Sequence, residues 1–220
     1  MQNRKLKPRA RLFVRFATAA VAAVFLLSGC AHKGPLLLDF TYQPPKEAAP
    51  AATKAVVAVS LFKDERGKVE SLVGRRFLSL NNEANDLVVQ GTVAEKVTAA
   101  LKKALAARGI SVQDGPAWDL SEAGIPSTGA NLLISGEIKT LWVESVSTLA
   151  KTTAKAKVEL RIVAADPEQK KIVRILDLDS KVERQSVVYS GSFVGKTLAE
   201  ALSGALDQIF VDEELKNKLK

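Results

Sequence analysis

The chain has 220 residues and a formal net charge of +8, with a single cysteine, Cys30, and a single histidine, His32. Six of the positive charges precede Cys30, and subtracting them from +8 leaves +2 for the remainder, so the charge gives no reason to expect nucleic-acid binding. The lone cysteine and lone histidine exclude an intramolecular disulfide, a Ser-His-Asp triad, a Cys-His pair and a His-based zinc site in a domain further along the chain.

Residues 1–29 have the layout of an export signal. A basic stretch without acidic residues precedes an apolar run over residues 16–27, and small residues follow. The run is too short to span a bilayer comfortably, because a spanning helix needs about 20 residues. We therefore predict a cleaved signal peptide. Its basic residues are Arg4, Lys5, Lys7, Arg9, Arg11 and Arg15.

The sequence Leu27-Ser28-Gly29-Cys30 ends this signal and resembles the lipobox of bacterial lipoproteins. The resemblance implies cleavage before Cys30, a diacylglyceryl thioether on its sulfur and acylation of the new amino group. Two or more acyl chains anchor a protein firmly. In such lipoproteins, aspartate directly after the cysteine often causes retention in the inner membrane, so Ala31 implies the periplasmic face of the outer membrane. The alternatives are a chance cysteine in an ordinary signal and a free buried thiol.

Residues 30–54 are expected to form the lipidated amino terminus and a tether, because they are rich in proline and alanine. As a flexible coil the tether would span roughly 25–30 Å. Residues 36–42 are too apolar for a plain linker, so we expect this part to dock on the domain as an extended segment, or alternatively to bind a partner as a strand. A single periplasmic domain is predicted for residues 55–220.

The first half of that domain contains a strand and a helix. Residues 55–62 form a β-branched apolar run typical of a central strand, and residues 63–85 are polar and irregular, with a hairpin as one possibility. The role of the loop over 63–90 stays open. Residues 92–108 predict an amphipathic helix with a Thr92–Glu95 capping box and a stop at Gly109.

Three strands with alternating apolar residues follow, over 132–144, 153–163 and 172–184. This alternation predicts an antiparallel meander with one covered and one solvated face. The residues expected on the covered face are Leu132, Ile134, Ile138, Trp142, Ala154, Ala156, Val158, Leu160, Ile162, Ile172, Leu176, Leu178 and Val182.

A second amphipathic helix is predicted over residues 196–210, and Asp212 is placed to cap a short terminal helix. With both main helices on one face of the sheet, the expected fold class is α+β. It is a two-layer sandwich of two helices on a mostly antiparallel sheet, in the order β-α-β-β-β-α.

Four groups of residues are candidate functional sites. Residues 191–197 resemble a phosphate loop, but three residues separate Gly191 from Gly195 where four are needed, so a strand-to-helix junction is favoured. Asp177 and Asp179 share a strand face and are best explained as solvated acids. Trp118 and Trp142 could line a lipid or peptide groove, although Trp142 is expected in the core. The exposed Lys155, Lys157 and Arg161 could meet anionic headgroups.

The domain also resembles YajG-type outer-membrane lipoproteins of uncharacterised function, through residues 92–95, 105–109, 132–134, 191–193 and 199–202. This family transfers no catalytic residue, cofactor or metal. The favoured hypothesis is a non-catalytic binding or scaffolding lipoprotein of envelope biogenesis, with an envelope protein as partner. The alternative is an auxiliary lipid-handling subunit of an envelope lipid or lipopolysaccharide transport system. An enzyme is not expected.

Overall fold

A computed structural model describes residues 34–45, 55–79 and 83–219. The predicted cleavage motif and the lipidation site Cys30 lie outside the described residues. Residues from Pro35 onward form one compact unit.

Nine strands in the described part of the chain form one sheet with β7 at its centre. On one side β7 pairs antiparallel with β8, which pairs antiparallel with β9. On its other side it pairs parallel with β2, β3 and β4. The strands are β1 Leu36–Leu37, β2 Val56–Val59, β3 Lys63–Asp64, β4 Leu72–Leu78, β5 Glu83–Val88, β6 Ser111–Asp114, β7 Leu132–Ser147, β8 Thr152–Asp166 and β9 Lys171–Ser186.

Within residues 34–45, 55–79 and 83–219 there are three α-helices, and each begins at a side chain that caps it. Helix α1 (Val93–Ala106) has the predicted capping box, and Gly109 has the expected positive φ of 77°. Helix α2 (Gly191–Asp207) begins at Ser190, whose hydroxyl accepts from the Phe193 amide, and a 3₁₀ turn (Gln208–Phe210) follows it. Helix α3 (Glu213–Lys218) begins at Asp212, as predicted.

Helix α2 therefore begins five residues before the predicted start at residue 196. The glycines that favoured a junction lie inside the helix, and Gly195 has a packing role there. A Cβ at Gly195 would lie 2.4 Å from the Asp39 carbonyl oxygen, so only glycine lets the amino-terminal segment approach this closely. The early start is a consequence of this tertiary contact and of the Ser190 cap.

Both main helices pack on one face of the sheet, which we call the inner face. Their apolar residues and the inner residues of the strands form one continuous core. Helix α2 is about 26 Å long and β7 is about 53 Å long, so the helices cannot cover the long strands from end to end. This mismatch in length leaves part of the sheet to be covered by loops.

A second apolar cluster lies on the opposite, outer face at the beginning of β7. The loop over residues 115–131 folds across this face and places Trp118 and Ile125 against Leu133 and Val163. Trp118 is only 6% exposed, and its indole nitrogen donates to the Ser121 carbonyl at 2.8 Å. Trp118 therefore belongs to a core and lines no groove.

Two β-bulges invert the expected faces of two residues. Lys139 is an extra residue between the pairs Ile138↔Leu160 and Thr140↔Glu159, so the residues after it change sides. Leu141 and Val143 consequently face the core, and the prediction of a core Trp142 is wrong. An extra Val173 in β9 likewise moves Ile172 to the outer cluster.

The docking predicted for residues 36–42 is confirmed. Leu36 and Leu37 pair in parallel with β5, and three further side chains of this segment, Leu38, Phe40 and Tyr42, are buried in the main core. Much of the predicted tether thus contributes to the folded unit.

The expected fold class holds in its coarse form: the chain is a mixed α/β unit with a large, mostly antiparallel sheet and two helices packed on it. The predicted order is only part of the observed one. The stretch over 63–85 was predicted to be polar and irregular, with a hairpin as one possibility; its described residues contribute to β3 and to β4 and β5, which pair antiparallel, and β4 pairs in parallel with the far end of β7. Short strands β1 and β6 complete the sheet.

Candidate functional site

The glycine-rich sequence over residues 191–197 does not form a phosphate-binding loop, because it is the first two turns of α2. The Thr197 hydroxyl donates to the Phe193 carbonyl at 2.9 Å within the helix. A phosphate loop instead curls its backbone amides around the phosphates before its helix begins.

Asp177 and Asp179 are exposed on the outer face of β9, as expected for solvated acids. Their cross-strand neighbours on β8 are Arg161 and Glu159. In the part of the chain that the structure describes, no three His, Cys, Asp or Glu side chains converge as metal ligands.

Both lysines of β8 are paired with acids on the same outer face. Lys155 lies 3.3 Å from Glu183, and Lys157 lies 2.8 Å from Glu159. Hydrogen bonds from Lys157 and Thr140 hold the pKa of Glu159 below its usual value. This face is mixed in charge, which makes it a poor platform for anionic headgroups.

Trp142 lies on this outer face beside a shallow groove of about 390 Å³. The Lys68 ammonium is 4.9 Å from the centre of the indole ring, a cation–π contact. The tryptophan is thus available at the surface, in a groove whose lining combines apolar surface with charged side chains such as Lys155 and Lys181.

A different surface lies at the end of the long strands marked by Ser147, Thr152 and Ser186, which we call the open end. Contacts of α2 with the sheet include the Arg184–Glu200 ion pair and the approach of Gly204 to Ser180. The last rows of the sheet lie beyond these contacts and are covered by the short loop over residues 187–190. A cavity of about 460 Å³ is found there.

The open-end surface combines a cation, hydroxyls and exposed apolar side chains. We define it as Arg76, Thr152, Val187, Val188 and Tyr189 at the cavity, together with Leu149 in the adjoining β7–β8 turn. Leu149 is 87% exposed, Val187 83% and Val188 71%. Apolar side chains exposed this far, and close to one another, are typical of contact surfaces.

Two buried polar atoms on this part of the sheet have no hydrogen-bond partner among the described residues, namely Nε of Arg76 and Oγ of Ser145. Arg76 and Ser145 are direct cross-strand partners in the β4–β7 pairing. Leaving a buried polar group unsatisfied costs about 1–3 kcal/mol, so the open end is less optimised for stability than the rest of the sheet.

The Arg76 guanidinium stacks on the ring of Tyr189, with its central carbon 3.6 Å from the ring centre. This contact fixes the loop that joins β9 to α2 against the end of β4. Burial raises the pKa of the Tyr189 hydroxyl, and the positive charge of Arg76 opposes that increase. The stacked pair is a preformed floor for the cavity.

This surface was not predicted from the sequence. The signal for it was Val187-Val188-Tyr189, an apolar run between a predicted strand end at 184 and a predicted helix start at 196. Exposure of these valines depends on where α2 begins, and the sequence pattern predicted that start five residues too late.

A second polar cluster fixes the amino-terminal segment to the helices, and we call it the clamp: Tyr42, Arg108 and Asp207. The Tyr42 hydroxyl donates to Asp207 Oδ1 at 2.5 Å, and Arg108 donates to both partners at 2.7 and 2.8 Å. The guanidinium of Arg108 also stacks on Phe210 at 3.6 Å. Burial, and then the hydrogen bond to Asp207, raise the pKa of Tyr42 to about 12.

Within the described residues, no helix is both long and apolar enough to traverse a lipid bilayer.

Comparisons with known proteins assign the chain to no family. No family model and no curated protein matches the chain. Protein XCC0632 from Xanthomonas campestris, of the family model DUF330, is 11% identical over 79% of this chain and 90% of its own, with a TM-score of 0.49. The hypothetical protein CT253 from Chlamydia trachomatis is 13% identical over 73% and 96%, with a TM-score of 0.43. At this level of similarity neither assigns a function.

Proposed function

We propose that the protein is a non-catalytic lipoprotein, anchored through Cys30 at the periplasmic face of the outer membrane and acting by binding or scaffolding in the cell envelope. Membership of the YajG-type lipoproteins is part of this proposal. Its partner is an envelope protein.

The observation that carries the proposal is the position of the only cysteine. Cys30 follows a basic and apolar leader and two small residues, and it lies five residues before the compact unit that begins at Pro35. A free thiol would need no such leader, and an ordinary signal would need no cysteine at this place.

Two carboxyl groups with lowered pKa values, Asp64 and Asp212, have structural tasks. Burial disfavours ionisation of Asp64, but hydrogen bonds from Arg66 outweigh it and hold the pKa of Asp64 below its usual value. Burial likewise disfavours ionisation of Asp212, but hydrogen bonds from the Leu215 amide and Arg174 outweigh it and hold the pKa of Asp212 below its usual value. These acids organise a loop and a helix end, respectively.

An alternative function, an auxiliary subunit that handles lipid, is favoured by the cavity at the open end. Its wall places the cation of Arg76 near the apolar Leu78, Val187 and Val188. This combination suits an anionic headgroup and the first methylenes of an acyl chain.

The anchor is tested by labelling cells with radioactive palmitate. Wild-type protein should incorporate label and be processed, whereas Cys30→Ala should do neither, because the acyl acceptor is gone. Ala31→Asp is the matched variant: it should be labelled as fully as wild type but fractionate with the inner membrane. Labelling of Cys30→Ala would refute the proposal.

Native mass spectrometry of the mature lipoprotein separates the two functions. Stoichiometric phospholipid bound in addition to the covalent acyl chains would favour lipid handling. A reproducible envelope protein at fixed stoichiometry, without bound lipid, would favour scaffolding. Arg76→Gln should reduce the lipid adduct if the cavity holds it.

A further inference from the structure

The docked amino-terminal segment sets how far an acylated Cys30 can lie from the folded unit. Six residue steps join Cys30 to Leu36, the first residue of β1. A fully extended chain spans at most about 3.6 Å per residue, so the reach is at most ~21 Å. This is shorter than the 25–30 Å predicted for a free tether, because residues 36–42 are held by the core.

The direction of β1 shows which side of the unit the chain comes from. Strand β1 runs parallel to β5, β5 runs antiparallel to β4, and β4 runs parallel to β7. Since β7 runs towards the open end at Ser147, β1 runs away from it. The chain therefore enters β1 from the side of the open end.

The reach from Leu36 exceeds the distance from β1 to the open end by about the thickness of one headgroup layer. Leu36 is level with Leu87, and through Gly74 with Val143 on β7. From Val143 to Ser147 the strand rises about 13 Å. An extended chain thus passes the last strand residues by no more than ~8 Å, which is comparable with the roughly 5–7 Å of one headgroup layer.

We infer that the open-end surface rests on the lipid bilayer, with Val187, Val188 and Leu149 in the interfacial region of the membrane. The inference rests on the proposed lipidation of Cys30. The chemistry of the surface agrees with it, because exposed apolar side chains gain by entering the interface while a nearby cation such as Lys151 meets phosphate.

The rival orientation places the β1 edge on the membrane, with the strands parallel to the bilayer plane. That edge carries Asp39, whose side chain is 90% exposed and pairs with Lys96, and the groove beside it has one strongly exposed apolar side chain, Leu37, at 65%. A carboxylate is unfavourable against a negatively charged surface, and the open end exposes three apolar side chains, Leu149, Val187 and Val188, so the open end is the better contact.

Fluorescence of site-specific labels on the acylated protein tests the inference. Because Cys30 is consumed by the thioether, an introduced cysteine is the only free thiol. Val188→Cys reports the open end, Glu168→Cys reports the exposed turn at the opposite end of the long strands, and Asp39→Cys reports the β1 edge. Each variant is labelled with an environment-sensitive dye and reconstituted in vesicles of phosphatidylethanolamine with a minority of phosphatidylglycerol.

The dye at residue 188 should shift to shorter wavelength on reconstitution, and aqueous iodide should quench it about threefold less than the dyes at 168 and 39. The result counts when the protein is bound to vesicles and its acyl mass is intact. Under those conditions, equal quenching of all three dyes, or protection from iodide of the dye at residue 39 alone, would overturn the inference. A protein without the acyl mass would instead overturn the proposed function, and mass spectrometry of the same samples reports this.

Discussion

The two ends of strands β7, β8 and β9 are built from the same alternating pattern but are covered differently. At the end that carries Leu133 and Val163, the outer face is covered by Trp118 and the inner face by helices. At the open end, one four-residue loop covers the inner face and valines are exposed, and two buried polar atoms find no hydrogen-bond partner in the described part of the chain. The comparison shows that cover, rather than strand pattern, decides which end stabilises the fold and which end is available to a partner.

The two tryptophans give the largest expected contrast in stability. Trp118→Ala removes a buried indole from the outer cluster and should lower the free energy of unfolding by about 3–5 kcal/mol. Trp142→Ala, the matched control, should cost roughly 1 kcal/mol, because its ring is partly exposed on the outer face and its side-chain partners are Lys68 and Glu144. Urea denaturation measures both, and equal losses would contradict the assignment of Trp118 to the core.

Removing the clamp hydroxyl should have the next largest effect. Tyr42→Phe keeps the buried ring but deletes the hydrogen bonds to Asp207 and Arg108, and should cost about 1–2 kcal/mol. Limited proteolysis should also cut the segment over residues 36–42 sooner than in wild type. A variant as stable and as protected as wild type would show that the ring alone holds the segment.

The clamp also predicts a dependence on alkaline pH. The pKa of Tyr42 is raised from 10.0 to about 12 in the folded state, so folding favours the neutral hydroxyl. The resulting stability is complete below pH 10 and is lost as the pH rises from 10 through 12. The urea concentration at the unfolding midpoint should therefore fall more steeply over this range in wild type than in Tyr42→Phe. Tyr189 is present in both proteins and contributes equally to the two curves. Parallel curves would contradict the assignment.

Two fully buried serines of β7 should respond with opposite signs. Ser135, near the covered end, donates to the Leu61 carbonyl at 3.1 Å, so Ser135→Ala should lose about 1 kcal/mol. Ser145, near the open end, has no partner among the described residues, so Ser145→Ala should be neutral or stabilising by up to ~1 kcal/mol. Destabilisation of both by the same amount would mean that Ser145 is satisfied in solution.

The smallest effect on stability is expected at the exposed valines. Val187→Ser combined with Val188→Ser should change the free energy of unfolding by less than about 0.5 kcal/mol, because little area is buried there. A large loss of stability would show that these side chains pack against the folded unit and are not free for contact.

Local patterns were sufficient to predict much of this fold from the sequence. The capping box at Thr92, the left-handed Gly109 and the alternation of β8 depend on neighbouring residues, so they were predictable. The bulges at Lys139 and Val173 were not predictable from such patterns. One extra residue leaves the composition of a strand unchanged, but it shifts the alternation, so the residues on one side of the bulge face the opposite way from those of a regular strand.

The candidate site was less accessible to sequence reasoning. The lipobox is a local motif, and lipidation of Cys30 stays a prediction. The open-end surface depends on the difference in length between α2 and the strands. It also depends on the loop between β9 and α2, for which the sequence predicted the wrong strand end and the wrong helix start. Arg76 and Ser145 meet only because β4 pairs in parallel with β7, a long-range contact that neither segment encodes by itself.

Strand β9 has 16 residues and, in the described chain, pairs with β8 alone, which makes it a long sheet margin with unused backbone donors and acceptors. Such a margin invites another molecule to add a strand and start polymerisation. Asp177, Asp179, Lys181 and Glu183 project from it at every second residue, and an incoming copy would have to bury these charges or bring like charges together. The two solvated acids Asp177 and Asp179 thereby make pairing with an incoming strand unfavourable.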